Sequence, residues 1–240
     1  MKYICSWSGG KDSTATIILA HENNEPLDII VFAEVMYDKK VSGENPEHID
    51  FVKNKAKELF ESWGYKVVIL RSNKTYMDLF NRVIKRPRKH MHHKGQKYGF
   101  ALAHQCSVKR DLKLRPLADF YKTLEESYVE YLGIGIDEQK RLFSMHQDAR
   151  KFSLLEKYNY TTDMAGLLCE KYGLLSPSYK YSKRGGCWFC PYAKLEEHQM
   201  IKKRYPKTWK RFVKLESIPN VANNRWNVFG ERLKERDKKL

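Results

Sequence analysis

Hydrophobic and polar positions alternate in blocks over the first 75 residues. Tyr3 to Trp7 is a short apolar run that stops at Ser8-Gly9-Gly10. A helical pattern follows, with Ala15, Ile18 and Leu19 on one face, ending near Asn23-Asn24. Asp28 to Val35 (DIIVFAEV) is a continuous β-rich run, as expected of a strand buried on both faces. Pro46 suits the opening of a helix whose apolar positions, Ile49, Val52, Ala56 and Leu59 with Phe60, keep helical spacing until Gly64. Tyr65 to Leu70 reads as a third strand. Strand, helix, strand, helix, strand predicts a parallel sheet with crossover helices.

Farther on, the pattern predicts a helix over 111–126, a strand from Val129 to Ile136 ending at Asp137-Glu138, and a helical segment over 161–172. Beyond 194 the chain reads as helical and basic, with Trp209, Phe212, Trp226 and Phe229 as packing anchors. The expected fold class is α/β, a Rossmann-like parallel sheet with flanking helices plus a smaller, helical, cysteine-containing C-terminal part. The expected division is a nucleotide-binding domain over 1–150 and a CxxC-containing region over 151–240, with a single domain as the alternative.

The 240 residues are 42% hydrophobic and 31% charged, which excludes a disordered tail or a collagen-like fibre. No apolar run approaches the roughly 20 residues of a membrane span, and MKYICSWSGGKDS lacks the apolar stretch of a signal peptide. A soluble, cytoplasmic protein is expected. Charge changes the picture: Lys and Arg total 45 against 29 Asp and Glu, a net +16. Such a balance favours a polyanionic partner, although a basic soluble enzyme fits it too. Arg82, Lys85, Arg86, Arg88, Lys89, Lys94, Lys97, Lys109, Arg110, Lys113 and Arg115 crowd one stretch, with His90, His92 and His93. Tyr98 and Phe100 interleave with these cations, as aromatic residues that stack on bases do; a phosphate-facing surface is expected here, with a solvated basic loop as the alternative.

Ser8-Gly9-Gly10-Lys11-Asp12-Ser13-Thr14 falls between the first strand and the first helix. That is where a parallel sheet binds phosphates, at a helix N-terminus beyond a strand's C-terminal end. Glycines let the backbone approach, hydroxyls and N–H groups donate, Lys11 adds charge, and Asp12 suits Mg²⁺ or a helix cap. The spacing is not that of a Walker A loop. The heptapeptide resembles the signature of the PP-loop ATP pyrophosphatases, SGGxDS followed by Ser or Thr. That resemblance implies an adenine nucleotide at this loop, ATP used to adenylate a substrate carbonyl with release of pyrophosphate, and an adenine nucleotide alpha hydrolase-like fold.

Five cysteines, an odd number, stand at 5, 106, 169, 187 and 190. In a cytosolic chain this argues for metal or redox chemistry over a disulfide framework. Cys5 lies in an apolar strand pattern. Cys187-Trp188-Phe189-Cys190, after Arg184-Gly185-Gly186, is a CxxC open to zinc, iron–sulfur and dithiol readings. With Cys106, the Tyr131–Glu138 segment (YLGIGIDE), Arg141 and LLSPSYKYSKRGGCWFC, the chain resembles the phosphoadenosine phosphosulfate reductase branch of the PP-loop family over residues 3–193. The branch's adenylyl-sulfate reductases hold a [4Fe–4S] cluster on a tandem cysteine pair and a later CxxC.

Two departures shape the expectation. The tandem pair is Gln105-Cys106 here, so one ligand is missing; Cys169 as a replacement, an open iron and a zinc site remain alternatives, and Cys169 reads equally as a buried helix residue. No cysteine follows Cys190, so the branch's C-terminal nucleophile is absent. Relatives acting in DNA phosphorothioation and tRNA thiolation pair a nucleotide loop with a cluster. The resemblance therefore implies ATP and Mg²⁺ at Ser8–Thr14, with Gly133, Asp137, Glu138 and Arg141 beside the nucleotide. Asp12, Lys109, Arg110 and Lys113 are the candidate catalytic residues. Cys106, Cys169, Cys187 and Cys190 are the candidate ligands of a [4Fe–4S] cluster, or of Zn²⁺. A nucleic-acid substrate (DNA or tRNA), a sulfur donor protein and a homodimer are the partners considered. A sulfonucleotide reductase-like enzyme using a thiol from elsewhere, and a non-catalytic zinc nucleic-acid-binding module, are the alternatives. A capping turn with a surface ion pair is the alternative for Asp137, Glu138 and Arg141.

Overall fold

The computed structural model describes the chain except residues 88–90, 103–105, 183–184 and 228–229 and the side chain of Met91. Arg88, Lys89, His90, Gln105, Arg184 and Phe229, singled out above, therefore lie outside the described residues. In chain order the elements are β1 (Lys2–Trp7), α1 (Lys11–Glu22), β2 (Ile29–Glu34), α2 (Pro46–Phe51), α3 (Lys57–Ser62) and β3 (Lys66–Arg71). Next come α4 (Tyr76–Asn81), β4 (Lys97–Gly99), α5 (Arg115–Lys122), β5 (Tyr128–Tyr131), α6 (Gln139–Met145), β6 (Lys151–Phe152), α7 (Leu154–Lys157) and α8 (Thr162–Lys171). The chain continues with α9 (Leu195–Arg204), α10 (Pro206–Val213), β7 (Val221–Asn223) and α11 (Leu233–Lys238). A π-helical turn over Val52–Ala56 joins α2 to α3, and another over Lys109–Leu114 leads into α5.

The chain divides into two compact units that interleave in sequence and do not follow the expected break at 150. The first comprises Met1–Ala33, Pro46–Leu70 and Pro116–Gly185; the second comprises Glu34–Asn45, Arg71–Arg115 and Gly186–Leu240. The first unit is built on a five-stranded parallel sheet of order β3-β2-β1-β5-β6. Glu34 and Arg71, the last residues of β2 and β3, are counted with the second unit. β1 pairs with β2 through Ile4–Ile29 to Trp7–Phe32, and with β5 through Lys2–Tyr128 to Cys5–Tyr131. Connections run outward one way from β1 to β2 and β3, then the other way to β5 and β6. The ends of β1 and β5 thus form the switch point at which an open α/β sheet takes its ligand. Trp7, Ile17, Ile18, Phe32, Phe60, Leu154 and Leu168 pack in its core. Burial of both faces of β1 and β2 explains their unbroken apolar runs.

The second unit has its own small sheet, β4 parallel to β7. An aromatic core surrounds it: Tyr76 stacks on Phe189 at 4.1 Å, Phe100 meets Phe80 edge-on at 5.3 Å, and Trp188 meets Phe212 at 5.6 Å. Phe100 is 1% exposed, which overturns the expectation that it stacks on bases. Among the described residues no helix is long and apolar enough to cross a membrane.

Candidate functional site

The Ser8–Thr14 loop leaves β1 at the switch point and enters α1 at Gly10. Its hydroxyls shape it internally. Ser13 Oγ accepts from the Ser8 N–H at 3.1 Å and donates to the Gly10 carbonyl at 3.1 Å, while Trp7 Nε1 donates to Thr14 Oγ1 at 3.0 Å. Gly9 has φ +71°, a conformation that favours glycine, and a Cβ there would stand 2.6 Å from His48 Cε1. The His48 ring lies 3.0 Å from the Ser8 carbonyl through Nε2 and 2.8 Å from Ser176 Oγ through Nδ1. Tyr179 Oη accepts from the Lys11 N–H at 3.0 Å. Lys11 turns inward: its ammonium bonds Asp12 Oδ1 at 2.8 Å and the Thr162 carbonyl. Burial holds Asp12 above the usual carboxylate range against the opposing pull of Lys11, and it senses Glu138 and Arg141.

The segment after β5 faces the same loop. A Cβ on Gly133 would lie 2.5 Å from the Asp12 carbonyl carbon and the Ser13 nitrogen, so Gly133 lets two backbones touch. Asp137 accepts from the Thr162 N–H at 2.9 Å and its hydroxyl at 2.7 Å, tying down the start of α8. Glu138 and Arg141 form an ion pair at 2.6 Å.

Cys169 belongs to the first unit, where it is fully buried and its thiol donates to the Lys11 carbonyl at 3.1 Å. Burial, then Asp12, pushes that thiol up to about 12. Cys106, Cys187 and Cys190 belong to the second unit, where all three line a cavity walled by Tyr76, Ala101, Val108, Phe189, Pro191 and Trp226. The CxxC is fixed from outside. Residues 42–45 pair with it through the Glu44–Cys187 bridge, the Trp188 N–H to Gly43 carbonyl bond at 3.1 Å and Trp188 Nε1 to the Ser42 carbonyl at 3.0 Å. Loss of solvation and then Glu44 raise the Cys187 thiol, with Lys113 opposing. Among the described residues no three His, Cys, Asp or Glu side chains converge closely enough to hold one metal ion. The three cysteine thiols around this apolar cavity are soft donors of the kind that both zinc and iron–sulfur clusters take.

The three candidate catalytic cations also belong to the second unit. Lys113 bonds the buried Glu44 at 2.9 Å; burial pulls its ammonium down, but Glu44 and Cys187 together hold it above its ordinary value. Arg110 grips the buried Asp111 with two bonds of 2.8 Å. Lys109 is exposed, and its N–H lies 3.5 Å from Cys106 Sγ. Sequence reasoning missed His48, Tyr179 and Glu44. The only local sign was a polar residue where the helical spacing called for burial at His48; the other two act through partners distant in sequence. Comparison of the chain with protein-family models and with curated proteins returns no match.

Proposed function

We propose that this chain is an ATP-using enzyme of the PP-loop kind, with an adenine nucleotide alpha hydrolase-like fold. It binds nucleotide at Ser8–Thr14, carries an iron–sulfur cluster on Cys106, Cys187 and Cys190, and transfers sulfur to, or otherwise modifies, DNA or tRNA. The observation that carries this reading is the segregation of charge and chemistry between the units. The unit with the phosphate loop holds 16 Lys and Arg against 18 Asp and Glu, a net −2; the unit with the three cysteines holds 29 against 11, a net +18. The excess that favours a polyanion therefore belongs entirely to the cysteine-bearing unit.

Within the first unit, the backbone N–H groups of Gly9, Asp12 and Ser13 hold phosphate oxygens at the positive end of α1. Asp12 would hold Mg²⁺, whose charge would favour the ionised form of its carboxyl. The Ser8 hydroxyl lies in the same loop, 3.1 Å from Ser13 Oγ. Cys106, Cys187 and Cys190 would hold the cluster, which supplies thiolate-bound iron for sulfur activation. Lys113, which senses Cys187 and Cys190, would offset the negative charge of their thiolates. Cys169 does not suit the nucleophile that a sulfonucleotide reductase needs, because its thiol is buried, neutral at pH 7 and spent on a backbone carbonyl.

The test is anaerobic purification followed by iron, acid-labile sulfide and zinc analysis, with pyrophosphate release from ATP measured with and without tRNA or DNA. The expected result is about four iron and four sulfide per chain, reduced in Cys106→Ala and unchanged in Cys169→Ala, with release that depends on nucleic acid. Stoichiometric zinc without sulfide would replace the cluster reading with the zinc nucleic-acid-binding module.

A further inference from the structure

The proposed chemistry makes no use of the His48 imidazole, yet the ring touches the phosphate loop directly. It stands at the third position of α2, 1% exposed, with Phe32 and Phe51 beside it. Nε2 lies 3.0 Å from the Ser8 carbonyl, Nδ1 2.8 Å from Ser176 Oγ, and Ser176 Oγ 3.0 Å from Ser178 Oγ. Both serines are 2% exposed. A carbonyl oxygen can only accept, so Nε2 carries a proton. In the neutral ring Nδ1 accepts from the Ser176 hydroxyl, which accepts in turn from Ser178.

The consequence falls on the next peptide. In a trans peptide the carbonyl and the following N–H point in opposite directions. Holding the Ser8 carbonyl on His48 therefore turns the Gly9 N–H to the side away from the imidazole. The absence of a side chain at Gly9 is what lets the ring come this close.

We infer that His48 is a positioning residue for the phosphate loop: it pins the Ser8 carbonyl and so aims the Gly9 N–H at a phosphate of the bound nucleotide. The inference rests on the reading that nucleotide binds at Ser8–Thr14. It assigns Ser176 and Ser178 the task of fixing the ring's tautomer.

The experiment titrates ¹⁵N-labelled full-length protein with Mg²⁺–ATP, reading affinity by calorimetry and the Gly9 amide by NMR. The variants are His48→Ala, His48→Gln and Ser176→Ala, each checked for a cooperative thermal transition. Wild-type protein binds and its Gly9 amide shifts. His48→Ala weakens binding by about tenfold, the cost of one well-placed hydrogen bond, and the Gly9 shift collapses. His48→Gln, whose Nε2 amide still donates to Ser8, stays within about threefold of wild type. Ser176→Ala, the milder lesion should His48→Ala not fold, weakens binding about threefold. Folded variants lacking His48 or Ser176 that bind as tightly as wild type, with an unchanged Gly9 shift, overturn the inference alone. Wild-type protein that binds no Mg²⁺–ATP overturns the nucleotide reading beneath it.

Discussion

A Cβ on Gly133 would stand 2.5 Å from the Asp12 carbonyl carbon and the Ser13 nitrogen, backbone atoms that no side-chain rotation can move aside. Gly133→Ala must therefore displace the start of α1, at a cost of about 1–3 kcal/mol typical of overpacking. The expected outcome is a lower Tm together with weakened Mg²⁺–ATP binding; a variant that binds nucleotide normally would separate Gly133 from the loop's function. Asp12 poses the reverse case. Its folded carboxyl is held above its ordinary value, chiefly by burial, so its ionised form is less favourable in the folded chain than in the unfolded one. The stability this shift contributes is fully present below the unfolded pKa and is lost as pH rises through the folded one. Asp12→Asn is thus expected to melt higher than wild type at pH 7 and level with it near pH 3, while losing Mg²⁺-dependent nucleotide binding. A Tm at pH 7 below wild type would show that the Lys11 contact outweighs burial. For Lys113, the buried Glu44 partner sets the scale. Lys113→Ala strands that carboxylate and is expected to cost about 3 kcal/mol, read by chemical denaturation, so lost activity in this variant follows from lost fold before lost catalysis.

The elements show where local pattern suffices and where it fails. β1, α1, β2 and β3 fall within a residue or two of the apolar runs. β1 and β2 do so because burial of both faces leaves the run unbroken. α1 and β3 do so because Gly10, Asn23 and Gly64 mark their ends, α1 being buried from Ser13 to Ala20 and β3 only half-buried. The strand expected over 129–136 stops at Tyr131. One further ladder bond, Leu132 N–H to the Phe152 carbonyl at 2.9 Å, is followed by a tight turn closed by Ile134 N–H on the Leu132 carbonyl at 3.1 Å. The apolar run continues because Ile134 packs with Leu142 and Met145, not because the strand does, and only the contact of Gly133 with Asp12 reveals the difference. β4 and β7, three residues each, carry too little pattern to read. Glu44 was hidden and His48 showed only as a polar residue at a buried helical position, since their partners Lys113 and Ser176 lie far along the chain. The Asp137 side chain belongs to this scale as well: it accepts both the N–H and the hydroxyl of Thr162 at the start of α8. Asp137→Ala is expected to cost about 1 kcal/mol, as for a lost helix cap, lowering Tm by about 2–4 °C with Mg²⁺–ATP affinity unchanged. A large loss of affinity at normal Tm would return Asp137 to the proposed nucleotide site.

At the scale of the whole molecule, the sequence carried the total charge but not its division, because the two units interleave: residues 34–45 and 71–115 leave the strands of one unit and build the other. Only with that assignment does the net +16 resolve into −2 on the sheet-bearing unit and +18 on the cysteine-bearing one. Binding that depends on phosphate neutralisation should then follow the second unit's cations alone. Lys203, Lys207 and Lys210 are exposed there, and Lys122 and Lys140 are exposed on the first unit. If the nucleic acid makes about 6–10 phosphate contacts, its affinity falls roughly 10³–10⁵-fold between 50 and 200 mM salt. Replacing Lys203, Lys207 and Lys210 by Ala should flatten the plot of log affinity against log salt by about one unit for each lysine that touches phosphate. Replacing Lys122 and Lys140 should leave the slope as it was. Fluorescence anisotropy with a labelled tRNA and a DNA duplex over a salt series makes the comparison. Equal flattening from both sets would mean that net charge alone drives binding, and an unchanged slope from the first set would move the polyanion to other cations of the second unit.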